Sequence, residues 1–375
     1  MEQQQRCAFE CLWQWRCSVR GLAAFVLPLL ALWAVIKALW ILLPSEWFET
    51  RTLSTLDLSD VKLSGFAHAI DGRMNFSIMS VAVWAAGLIA MLLAVAAMRR
   101  TLCTAGTAIA FVLAAATGAG VANWESNYHT TVCDGTYPPA TVHVDKNEGF
   151  RAVVIDNLMC VAERSQPPEK RRLETTKNMI LANTYFGFIG AAAVMAAFGV
   201  LAMRYGDGWA AVGRLRRRLD DFRTLTLMAG ILFVLNALVT KSLVNWTQGL
   251  LASEADAAEF ARLGSALLNY WATQASTVLI VALGLAAVFI QCDITAAARE
   301  KLSEPVKPEP AANSAAAPGA AAASSAGAGK IPTETTWKEE NELTFDSATA
   351  VSAALGIIAP FLAGPAVDLV TKALH

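Results

Sequence analysis

Residues 204–223 read RYGDGWAAVGRLRRRLDDFR, the densest arginine cluster in the chain, set between two long apolar runs, Met179–Met203 and Leu225–Val244. Positive charge in short loops marks the cytoplasmic side of a membrane protein, so the stretch reads as the loop that orients the chain in its bilayer. It also reads as a helix continuing into the run that follows. Arg216 with Asp220, and Arg217 with Asp221, form i,i+4 pairs on exposed faces. Trp209, Val212, Leu215, Leu219 and Phe222 give it an apolar side. Such a helix can lie against anionic headgroups, each basic residue contributing on the order of 1 kcal/mol.

The rest of the composition agrees with a membrane setting. The chain has 375 residues, 55% of them hydrophobic and 16% charged, with mean hydropathy +0.44. A soluble domain carries roughly 25% charged residues. The net charge of -1 argues against nucleic-acid binding by the chain as a whole, since a binder needs a basic surface to displace counterions from phosphates.

A spanning helix needs about 20 apolar residues. The runs that qualify are Gly21–Leu43, Phe76–Met98, Thr104–Ala122, Met179–Met203, Leu225–Val244 and Leu267–Ile290. They are too long, and too poor in alternation, for strands. The fold class expected is an all-α polytopic membrane protein with about six transmembrane helices. Gly21–Leu43 exceeds the apolar length of a cleaved signal and is read as an uncleaved anchor.

Orientation follows from the bias of Lys and Arg. With the N-terminus inside, the cytoplasmic segments hold Arg6, Arg16 and Arg20, then Arg99 and Arg100, then Arg204, Arg214, Arg216, Arg217, Arg218 and Arg223. Arg99, Arg100, Arg214, Arg216, Arg217 and Arg218 are thus assigned as orientation and lipid-facing charges. The outer loop 245–266 is acidic, with Glu254, Asp256 and Glu259. Opposing this, Lys170, Arg171, Arg172 and Lys177 stand at the outer end of the fourth helix, in a long loop where the rule is weaker. Both termini are expected in the cytoplasm, with the protein in an inner or plasma membrane.

Cysteines supply a second indication. In this orientation Cys7, Cys11, Cys17, Cys103 and Cys292 lie in or beside the reducing cytoplasm, and only Cys133 and Cys160 fall outside. The pair flanks a candidate hairpin, Thr141–Val144 and Arg151–Ile155, in the large outer loop 123–178. A disulfide between Cys133 and Cys160 is expected to staple this loop.

The remaining segments follow in order. Residues 1–20 read as an amphipathic interfacial N-terminus, 44–75 as an outer loop, and 204–224 as the arginine-rich cytoplasmic loop. Gly106, Ala110, Ala114 and Gly118 form a small-residue stripe on the third span, which admits close helix packing. Packing inside the bundle is the simpler reading and a homo-oligomer interface the sharper one. Residues 303–332 are rich in Ala, Pro, Ser and Gly and read as a disordered linker. Residues 333–346 are polar and acidic, and 347–374 are read as an interfacial or partner-docking helix rather than a seventh span.

Chemistry is not visible. No GxSxG, HExxH, Walker or paired CxxC pattern occurs, so no catalytic or cofactor-binding residue is assigned. His129, Asp134, His143 and Asp145 share one outer loop but match no recurrent metal-ligand spacing, and solvated loop residues are the simpler reading. The spans hold almost no ionisable groups, which weighs against coupled transport. Asn236 and Gln274 read as amides that join helices. The function expected is a non-enzymatic assembly, scaffold or interaction component, with the lipid bilayer and a protein at the C-terminal tail as partners. A passive channel or transporter is the alternative, and a membrane enzyme with an extracytoplasmic metal site comes third.

Overall fold

A computed structural model describes residues 19–42, 66–126, 173–203, 210–250, 254–303 and 333–344. They form seven helices: α1 (Val19–Leu42), α2 (Phe66–Thr101), α3 (Thr104–Ser126), α4 (Leu173–Leu201), α5 (Val212–Gln248), α6 (Glu254–Ser303) and α7 (Glu334–Glu340). No strand occurs among the described residues. Five of the helices are long and apolar enough to cross a membrane, at Asp71–Thr101, Thr104–Asn123, Asn178–Leu201, Val212–Gln248 and Leu268–Ser303. Helix α1 contributes a shorter apolar stretch, Val26–Val35. In hydrocarbon the backbone has no water to bond, and a helix satisfies all but its terminal amides within itself.

Large apolar side chains stand exposed along these helices, Leu92, Val112, Leu227 and Trp33 among them. In water such surface would be costly; against lipid it is ordinary. The sequence reading of an all-helical membrane protein therefore holds at the level of class.

Helix α4 lies at the centre, packed against α1, α2, α3, α5 and α6. Its sequence explains the position. Ala192, Ala193, Ala196 and Ala197 are buried, so neighbouring backbones come close. A Cβ on Gly87 of α2 would stand 2.8 Å from the Phe186 carbonyl oxygen. One on Gly118 of α3 would stand 2.8 Å from both Ile189 Cα and the Phe188 carbonyl oxygen. At the α2–α4 seam Asn183 Nδ2 donates to Ser80 Oγ at 2.9 Å, and Ser80 in turn donates to the Phe76 carbonyl.

Helix bounds depart from the apolar runs at two places. Helix α2 begins at Phe66, inside the segment read as an outer loop, and α6 runs from Glu254 to Ser303 rather than 267–290. An apolar run measures hydrocarbon depth, whereas a helix continues until something stops it, and neither flank carries a proline or an early cap. Part of the acidic outer loop is therefore the first turns of α6. The disulfide-stapled hairpin, the linker and the helix 347–374 lie outside the described residues.

Candidate functional site

The starts of α1 and α5 and the ends of α2, α4 and α6 meet at one end of the bundle, the end that carries the arginines. Asp293 is fully buried there. Its Oδ1 accepts from Arg20 Nη1 at 2.9 Å and its Oδ2 from Arg218 Nη1 at 3.0 Å. Arg218 Nε also donates to the Leu201 carbonyl at 3.1 Å, and its Nη2 bonds the same oxygen. Leu201 ends α4, where the last carbonyls lack partners within the helix. One carboxylate thus joins α1, α5 and α6, and Arg218 adds α4. Arg20 also sits 5.5 Å from the centre of the Phe289 ring, within cation–π range.

The pairing within α5 differs from the i,i+4 expectation. Asp221 is buried against α2 and paired with Arg100 rather than Arg217. Asp220 pairs with Arg223 at 3.7 Å, and Arg216 pairs with Glu342. The reason is rotational. Asp221 lies on the buried side with Arg218 and Phe222, so its nearest cation comes from another helix. Of the six arginines assigned as orientation charges, Arg100 and Arg218 hold the bundle together and Arg216 meets the C-terminal segment, while Arg99, Arg214 and Arg217 are exposed.

The C-terminal segment docks on this end of the bundle. Thr333 caps α7, its side chain accepting from the Thr336 amide at 3.3 Å. Lys338 Nζ donates to Glu334 Oε1 at 2.7 Å and to Thr295 Oγ1 of α6 at 3.0 Å. Arg299 lies 3.6 Å from Glu334. The lysine hydrogen bond holds the Glu334 carboxyl below its ordinary value of 4.5, with burial opposing it. After α7 the Leu343 amide bonds the Lys338 carbonyl at 2.8 Å and the Glu342 amide bonds the Glu339 carbonyl at 3.1 Å. This is a Schellman stop, and Glu342 occupies its left-handed position at φ 55°, which glycine usually takes. The stop turns Leu343 into the core, fully buried, with Trp337 packed against the same cluster. The polar stretch 333–346 thus carries a docking element of its own, ahead of the segment assigned that role. Thr333 three residues before Thr336, and Glu334 four before Lys338, are the signals that announce it.

A cavity of about 170 Å³ lies among α1, α3, α4, α5 and α6. Its wall is mostly apolar, with Thr117, Asn236, Thr240 and Gln274 as polar exceptions. Asn236 does not join helices by its Nδ2, which donates to the Leu232 carbonyl of its own helix at 2.8 Å. Gln274 is 7% exposed, and its Nε2 finds no hydrogen-bond partner among the described residues.

The small-residue stripe divides. Ala114 is fully buried and Gly118 touches α4, Ala110 packs at the edge of the core, and Gly106 has its own Leu102 and Cys103 as nearest neighbours. Cys133, Cys160, His129, Asp134, His143 and Asp145 lie outside the described residues. Cys292 is exposed and free. Asp293 is the residue that sequence reasoning passed over. It stands just past the last apolar run, where a single acid among Gln, Cys and Thr reads as interfacial.

Compared with protein-family models, with characterised proteins and with solved structures, the chain finds no match in any of the three. The class defined by the fold is that of a helical membrane protein.

Proposed function

We propose that this protein is a non-enzymatic interaction component of an inner or plasma membrane, whose arginine end is a docking platform. In this reading it has six spans, counting α1, and both termini lie on the cytoplasmic side with the arginines. The observation that carries the proposal is the seating of residues 333–344 on α5 and α6 through Arg216, Arg299, Thr295 and a buried Leu343. A short acidic segment held by a few exposed ion pairs and two apolar anchors is a replaceable occupant. Exposed pairs contribute little each, so a partner presenting similar acidic and apolar groups can compete for the platform, and the released tail becomes available for binding.

Affinity purification of the full chain beside a chain truncated before Thr333 tests this. A defined set of partners gained or lost on truncation is the result expected. An identical set in both would remove the tail from the function.

A channel or transporter is the second reading, favoured by the cavity inside the bundle. Purified protein in sealed vesicles distinguishes it, since solute-selective flux above that of empty vesicles would put transport first.

A further inference from the structure

Helix α2 runs toward the arginine end and α5 runs away from it, and the two pack together with Arg100 paired to Asp221. This pair marks a depth. Arg100 stands two residues, about 3 Å, beyond the apolar run Phe76–Met98, and Asp221 stands four residues, about 6 Å, before the run Leu225–Val244. The polar layer of a bilayer is about 5–8 Å thick on each side of the hydrocarbon, so the pair sits at the level of lipid headgroups.

Helical spacing sets an exposed row on each helix beside the pair. On α2, Ile89, Ala96 and Arg100 follow at intervals of seven and four residues, and all three are exposed. On α5, Arg217, Thr224 and Ile231 follow at intervals of seven, and all three are exposed. The rows match in depth because the helices are antiparallel. Ala96 lies about 6 Å inward from Arg100, and Thr224 about 4.5 Å inward from Asp221. Ile89 and Ile231 lie about 17 Å and about 15 Å inward from the same two residues. The seam thus carries arginine at the headgroup level, small side chains below it and isoleucine deeper.

The charge on this seam is not balanced. Asp221 is buried and matches one arginine, while the Arg100 side chain is 60% exposed and keeps donors for a second acceptor. Arg99, beside it, and Arg217, one turn outward from Asp221, form no ion pair among the described residues. That turn is about 6 Å, a step a long arginine side chain can cover. Nearby Arg223 is matched by Asp220, and Arg216 by Glu342. Guanidinium groups suit a phosphate. A free phosphate has no use for the apolar rows beneath, whereas a phosphate carrying acyl chains matches both.

We propose that the lipid-facing seam between α2 and α5 binds one anionic phospholipid from the leaflet on the arginine side. Its phosphate accepts from Arg100 and Arg217, and Arg99 adds positive charge. An acyl chain lies past Ala96 and Thr224 toward Ile89 and Ile231. The seam shares no arginine with the docking platform, so neither reading rests on the other.

The test uses the full chain, purified in a mild detergent, supplied with equimolar phosphatidylglycerol and phosphatidylcholine, and read by native mass spectrometry. Phosphatidylglycerol should be retained in preference. Arg99→Gln combined with Arg217→Gln leaves the Arg100–Asp221 pair in place and should lower that retention about tenfold. Arg73→Gln combined with Lys241→Gln removes the same charge from the opposite ends of the same helices and should leave it unchanged. Ala96→Trp changes no charge, covers the seam and should lower retention a few-fold. Excess inorganic phosphate should not displace the lipid. Only variants that melt with the parent are compared, and Arg217→Gln alone replaces the first double variant should that one not fold. Equal retention of the two lipids would overturn the proposal, as would equal loss in the two double variants. Displacement by inorganic phosphate together with indifference to Ala96→Trp would overturn it too, in favour of a simple phosphate site.

Discussion

Asp293 and Arg218 show how few residues organise the arginine end. A fully buried carboxylate is tolerated only when its charge is matched and its oxygens are bonded, and here both oxygens have an arginine. Arg218→Ala removes one match and also uncovers the Leu201 carbonyl. Loss of one partner from a buried pair costs about 3–5 kcal/mol, so this variant should melt well below the parent in detergent. Arg217→Ala, an exposed neighbour, should shift the melting temperature very little, and equal losses would mean that Arg218 is merely one more surface charge. Glycine offers a second contrast on α3. A Cβ at Gly118 meets the backbone of α4, which cannot yield, whereas at Gly120 it meets nothing within 4 Å. Gly118→Ala should cost about 1–3 kcal/mol from overpacking. Gly120→Ala should be neutral or slightly stabilising, by up to about 1 kcal/mol, because alanine is the better helix former. Differential melting of the two variants checks both.

Helix α7 is the element whose position is most open to manipulation. Leu343→Ala empties a fully buried site, a change that costs about 2–5 kcal/mol in well-packed cores, and should release the segment without unfolding the bundle. Acid should also loosen it. Glu334 has a depressed carboxyl value in the docked state, so its contribution is fully present above the ordinary value of 4.5 and is lost as pH falls through the lower docked value. A spin label at Thr335→Cys should become more mobile as pH is lowered through this range, and Lys338→Met, by removing the largest cause of the shift, should diminish that step. A label equally restrained at neutral and acid pH would show that the Glu334 pairs contribute nothing to holding the segment, and a label fully mobile at neutral pH would refute the docking. Much of this element was legible: the Thr cap, the Glu–Lys spacing and the acidic run are all local. What was not legible is that Leu343 is an anchor, since one leucine in a polar stretch has no periodicity to announce it.

At the scale of the whole molecule the open quantity is orientation. The arginine bias argues for the ends of α2 and α6 in the cytoplasm. Cys292 tests this, being exposed, free and adjacent to Asp293. A membrane-impermeant maleimide should leave Cys292 unmodified in intact cells and modify it in inverted vesicles, as read by peptide mass. Modification in intact cells would reverse the topology and move the docking platform to the outside.

The sequence by itself determined the class and the end that carries the positive charge. Apolar length and charge density are sums over consecutive residues, and the bilayer responds to those sums directly. Only the tertiary structure decided which acid meets which arginine. Asp293 is bonded to partners 75 and 273 residues away, Asp221 to one 121 residues away, and the acidic tail folds onto α5 and α6. It also decided that Gln274 is buried inside the bundle with its Nε2 unpartnered among the described residues. Those outcomes depend on the rotation of each helix about its axis and on how closely small residues let backbones approach. Neither is a property of a single segment, because each is set by what packs on the opposite side.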